Sequence, residues 1–171
     1  KESNIKFSSF IYSKENLLVM EFEGNIQPTF KFRLFSDPHN TPIDLKSVNR
    51  GTYIFKDWIK RYPGPKYIKE GNIEMFSQEV PDGGELAYAF AVIPKDGKTT
   101  LYLSTAYDRE GKIATKIASN IVKHNFTTSF NEIAKEHRHQ WHTYYNASFI
   151  SVPDTRLEGL YWMEIYKLRC C

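Results

Sequence analysis

At Asp108 the apolar residues of this chain change period. Before it, short β-rich runs of four to nine residues are separated by Gly, Pro and Asp clusters. After it, apolar residues return every three to four positions. The first pattern suits strands and the second suits helices. No helical pattern separates the runs of the first part, so a βαβ sheet is excluded and an antiparallel arrangement is expected. The fold class expected is therefore mainly β: an antiparallel, supersandwich-like β-sandwich over residues 1–108, a helical linker over 109–150 and a C-terminal helix over 151–171.

The strand signals are Ile5–Tyr12, Leu17–Glu23, Phe30–Phe35, Thr52–Phe55, Ile73–Val80, Leu86–Ile93 and Thr99–Tyr107. Phe30-Lys-Phe-Arg-Leu-Phe35 alternates apolar with cationic residues, as a half-buried strand does. Pro81-Asp-Gly-Gly84 and Pro94-Lys-Asp-Gly97 join β-rich runs at hairpin distance. The region 56–70 is broken by Pro63, Gly64 and Pro65 and reads as a loop.

Ile113, Ile117 and Ile121 recur every four residues, with Ala114 and Ala118 beside them, and predict one apolar helical stripe. Ser129 and Glu132 have capping-box spacing, where the Ser oxygen takes a free amide of the first turn and the Glu reaches back. Phe130, Ile133, His137, Trp141, Tyr144, Tyr145 and Ser148 then share one face. Pro153 turns Val152 away from helix. Asp154 or Thr155 should cap a last helix that is apolar nearly all round, which requires burial by something. The expectation is that the chain is the front part of a larger protein, with a truncated helical domain beginning near residue 151.

The chain has 12 Phe, 11 Tyr and 3 Trp among 171 residues, a share that suits sandwich cores and sugar-stacking surfaces alike. Its formal charge of +3 comes from 23 basic and 20 acidic residues that are interspersed. Without a basic block, neither nucleic acid nor a membrane surface is an expected partner. No apolar run nears the roughly 20 residues of a membrane span. Cys170 and Cys171 are adjacent and have no third cysteine to pair with. Asn125-Phe-Thr127 and Asn146-Ala-Ser148 match the glycosylation sequon. No P-loop, Gly-x-Gly-x-x-Gly or Gly-x-Ser-x-Gly occurs, and no cofactor is expected.

A sandwich, a helical linker with His137, Trp141 and Tyr145, then Ser148-Phe-Ile-Ser-Val-Pro-Asp154 and Leu157-Glu-Gly-Leu-Tyr-Trp-Met-Glu-Ile-Tyr166, resembles the sandwich-to-barrel junction of glycoside hydrolases with an (α/α)6 toroid. The family 65 phosphorylases and hydrolases, and the fucosidase- and trehalase-like families, are similar in this way. The resemblance covers roughly residues 98–171. It implies a non-catalytic N-terminal domain that braces a helical catalytic domain of the same chain and lends a loop to its carbohydrate cleft. It also implies a periplasmic or extracellular home. The catalytic carboxylates of those families lie in later helices, so no catalytic residue is assigned here.

Trp58, Tyr62 and Tyr67, in the broken region 56–70, are the candidate substrate-binding residues. His137, Trp141, Tyr145, Asp154, Tyr161 and Trp162 are the candidate domain-interface residues. Asp154 and Glu158 are four apart, the spacing of a paired carboxylate site, yet they are also the usual residues of a helix start. Glu136, His139 and His142 form a metal-like string without a His-Glu-x-x-His pattern, and no metal site is assigned. His137 should pack and donate to a carbonyl or carboxylate. The alternative functions are a free-standing carbohydrate-binding sandwich and a structural module forming a homo-oligomer through its last helix.

Overall fold

The computed structural model describes residues 5–24, 28–30, 64–80, 83–111 and 113–170. Six antiparallel strands form one sheet: β1 (Ile5–Ile11), β2 (Leu17–Gly24), β3 (Lys66–Glu70), β4 (Ile73–Glu79), β5 (Glu85–Lys95) and β6 (Lys98–Asp108). Their spatial order is β1-β2-β6-β5-β4-β3. Strands β3 to β6 make a meander, and the β1–β2 hairpin joins it where β2 pairs with β6. Three helices follow: α1 (Ala114–Asn125), α2 (Phe130–Tyr145) and α3 (Thr155–Cys170).

The hairpins follow from turn chemistry. Lys95 pairs with Lys98 across Asp96 and Gly97, whose φ values are 51° and 74°. Both central residues are left-handed, as in a turn that matches strand twist. The β4–β5 turn needs Gly84, at φ 106°, because a Cβ there would lie 2.8 Å from the Asp108 carbonyl oxygen and the Tyr107 hydroxyl.

One sheet face is made of small residues. Pairing sets Ala87 opposite Ala106, Ala89 opposite Ser104 and Ala91 opposite Tyr102. Helix α1 lies over this strip, touching β4, β5 and β6. Its buried residues are Ala114, Ala118, Ser119, Val122 and Asn125. Small side chains on both surfaces let the helix axis approach the sheet, so dispersion contacts accumulate. Of the apolar stripe expected here, Ala114 and Ala118 are buried and Ile121 packs against the core, whereas Ile113 and Ile117 are exposed. The inner face is held by the small members of that stripe together with Val122.

The core joins these residues to Leu17 and Val19 of β2, Ile73 and Met75 of β4, and Ile133 of α2. The opposite sheet face carries rings instead, including a Phe7–Phe22 pair at 4.8 Å and a Tyr67–Phe76 pair at 5.0 Å.

The fold is mainly β and antiparallel, with C-terminal helices. The described residues supply one sheet. Of the strand expected over 30–35 only Phe30 is described, and 52–55 lies outside the described residues. The loop reading of 56–70 is corrected at its end, where Lys66–Glu70 is edge strand β3. Its residues are all exposed, so it carries no in–out alternation. Pairing with β4 across the Gly71-Asn72 turn makes it a strand.

Candidate functional site

The site is an aromatic seam where α2 leaves the sheet and meets α3. Helix α2 starts with the full capping box. The Ser129 side chain accepts from the Glu132 amide at 3.3 Å, and Glu132 accepts from the Ser129 amide at 3.0 Å. The hydroxyl and amide of Ser129 hold the Glu132 carboxyl below its usual range.

The first half of α2 is fastened to the β1–β2 hairpin. Ile133 and Ala134 are buried, and Phe10 packs edge-on against Phe130 at 5.3 Å. Tyr12 and Lys14, which follow β1, both donate to the Glu136 carboxylate. The Lys14 bond is the larger cause of a lowered Glu136 pKa, and the Tyr12 bond adds to it. Burial and the same carboxylate push the Tyr12 phenol up. Phe10 also stacks on the His137 imidazole at 4.7 Å.

From His137 onward the rings run toward α3. Trp141 meets His137 edge-on at 6.2 Å and stacks on Tyr145 at 5.5 Å and on Tyr166 at 5.2 Å. Trp162 meets Tyr145 at 5.6 Å and Tyr161 at 5.1 Å, both edge-on. The Tyr144 hydroxyl donates to the Ile165 carbonyl at 3.1 Å, and Ser148 bonds Tyr161. Such offset and edge-on pairs each contribute about 0.5–1.5 kcal/mol beyond area burial. The seam locks α3 to α2, yet no residue of α3 is buried. Leu157, Leu160, Met163 and Leu168 are between 46% and 69% exposed, and Phe149 ahead of the helix is 80% exposed.

His137, Trp141, Tyr145, Tyr161 and Trp162 are thus brought together. Asp154 lies at the start of α3, where its Oδ1 accepts from the amides of Arg156 at 2.9 Å and Leu157 at 3.4 Å. Glu158 accepts from the Val152 amide at 3.2 Å. Both carboxylates bind backbone donors, as a capped helix start requires. Tyr67 stands apart, on edge strand β3, 52% exposed, its hydroxyl 3.0 Å from Glu74. Trp58 and Tyr62 lie outside the described residues.

The expected hydrogen bond of His137 is corrected. Its Nδ1 is buried and has no partner among the described residues. Burial first, and the Arg138 charge second, lower its pKa and favour the neutral ring. Stacking on Phe10 fixes the ring without a polar partner. The string Glu136, His139 and His142 does not converge: Glu136 turns to Lys14 and Tyr12, and His142 lines a groove. Among the described residues no three His, Cys, Asp or Glu side chains gather for a metal.

That groove, ≈ 520 Å³, opens between α2 and α3 and was not foreseen as a unit. Its aromatic side is Trp141, Tyr145 and Trp162. Its polar side is Arg138, His142 and Asn146. Arg138 went unnoticed in the sequence, although its spacing of four from His142 signals a shared face.

No family model and no curated protein matches the chain. Among solved structures the chain is similar to one provisionally named a kojibiose phosphorylase from human microbiome. The TM-score is 0.54 at 12% identity, over 82% of this chain and 20% of that one. This chain therefore shares a fold with about a fifth of a much longer protein.

Proposed function

We propose that this chain is a non-catalytic N-terminal module of a glycoside hydrolase or phosphorylase. Residues 1–108 form its sandwich domain, 109–150 its linker, and 151–171 the start of a helical catalytic domain that the module braces. The outward side of α3 carries the reading. Leu157, Leu160, Met163 and Leu168 expose a broad apolar surface on a helix already fixed from behind by the ring seam. An outward side that exposes four large apolar side chains beside a single Lys167–Glu164 ion pair suits burial by further helices, as the inner side is covered by α2. The fold likeness to part of a long structure named as a phosphorylase supports the same reading.

The acid and base of glycosidic cleavage would then come from that helical domain, since Asp154 and Glu158 are engaged in starting α3. The isolated chain should turn over no member of a panel of α- and β-glycosides, with or without inorganic phosphate. Robust turnover would overturn the proposal. A second measurement uses Leu160→Glu. It should leave the Tm of the isolated chain unchanged within about 1 °C and lower that of the polypeptide joining it to its helical domain by several degrees. Equal effects in both would contradict the bracing role.

A further inference from the structure

Two parallel rows run along α2 at spacings of four. One is His137, Trp141 and Tyr145, and the other is Arg138, His142 and Asn146. Successive members of each row are about one helical pitch, or about 5.4 Å, apart. The rows form the floor and rim of the ≈ 520 Å³ groove, and Trp162 of α3 closes it. Small-molecule sites span about 300–1,000 Å³ and pair an apolar wall with a few polar groups.

Among the described residues, the one permanent charge of the lining is the Arg138 guanidinium, and no carboxylate lines the groove. The nearby acid on α2, Glu136, is engaged by Lys14 and Tyr12. Arg138 makes no ion pair among the described residues. The His137 Nδ1 is a buried polar atom still without a partner.

We propose that the groove between α2 and α3 binds an anionic saccharide, a pyranose carrying a carboxylate or a phosphate. The apolar CH face of a pyranose lies on aromatic rings, while its hydroxyls project at the edge. An aromatic row beside a polar row matches that division along the whole groove. The Arg138 guanidinium takes the anionic group in a forked pair, which a lone hydroxyl does not offer. The choice of a sugar over another flat anion rests on the carbohydrate reading above. The placement and the sign of charge rest on the groove alone.

Amide chemical shifts of the full chain are followed while D-glucuronate, glucose 6-phosphate, glucose and inorganic phosphate are added separately. At least one of the two anionic sugars should give saturable shifts confined to residues 137–146 and 158–166. Which of them does so identifies the carboxylate or the phosphate as the recognised group. Glucose and inorganic phosphate should each bind at least about tenfold more weakly. Arg138→Gln, at an exposed rim position, should weaken binding about tenfold with Tm unchanged. Trp141→Ala should abolish it, and should that variant release α3, Arg138→Gln still decides. No saturable shift with either anionic sugar at about 10 mM overturns the proposal. So does binding of glucose or phosphate as tight as that of the anionic sugars, or binding unaffected by Arg138→Gln. None of these outcomes touches the bracing role, which the Leu160→Glu comparison tests separately.

Discussion

The α1–sheet interface is built largely from alanines, with Val122 set among Ile73, Met75 and Tyr102, whereas the α2–α3 seam is built from tryptophans, tyrosines and a histidine. In the first, Ala87, Ala89, Ala91, Ala114, Ala118 and Val122 are wholly buried. In the second, large rings touch and yet stay half-exposed, and no residue of α3 is buried. Small side chains close a gap completely and leave nothing for a ligand or partner. Large rings meet at a few points and leave troughs between them. The first interface is spent on holding the fold together, and the second retains surface for recognition.

Four changes break or sharpen this contrast, from the largest effect to the smallest. Leu17→Ala removes a fully buried side chain from the tight side and should cost about 3 kcal/mol in urea unfolding. Ala118→Leu overfills the same interface and should cost about 2 kcal/mol, whereas a loosely packed helix would absorb it. Trp162→Ala, on the open side, should cost about 1 kcal/mol and speed amide exchange in α3 while leaving β4–β6 protected. Ser129→Ala removes the hydroxyl of the capping box at the join between the two regions. It should cost about 0.5–1 kcal/mol in the same unfolding assay.

Acid should act on the seam as well. The folded pKa of His137 lies below its unfolded value, so the unfolded chain binds the extra proton more readily. The stability due to the neutral ring is present above the ordinary histidine range and is lost as pH falls through it. The urea midpoint should fall further between pH 8 and pH 5 in the wild type than in His137→Phe, which keeps Glu136 and the other histidines but lacks this titrating ring. A fall unchanged by the substitution would remove His137 from the account.

The legible parts of the fold were those with local causes. The capping box, the two hairpin turns and the i, i+4 ring row on α2 all depend on residues within a few positions of one another. Edge strand β3 was hidden because its residues are all exposed and only β4 makes it a strand. The stripe of α1 was legible with its alanines, but which of its members face inward depends on the alanine strip beneath, which exists only once β5 and β6 pair. In the seam, Trp141 and Tyr145 could be placed together from spacing. The Trp141–Tyr166 stack, the Phe10–His137 stack and the grip of Tyr12 and Lys14 on Glu136 join distant parts of the chain, and no local pattern announces them.

Native-state hydrogen exchange across the three helices tests the contrast most directly. The account predicts that the interior amides of α1, over 118–125, exchange only through global unfolding. Those of α3, over 159–170, should exchange at least about a hundredfold faster through local release of the ring seam. Equal protection of α1 and α3 in the isolated chain would contradict it, because α3 would then be as fully supported as the core and would have no face left to offer.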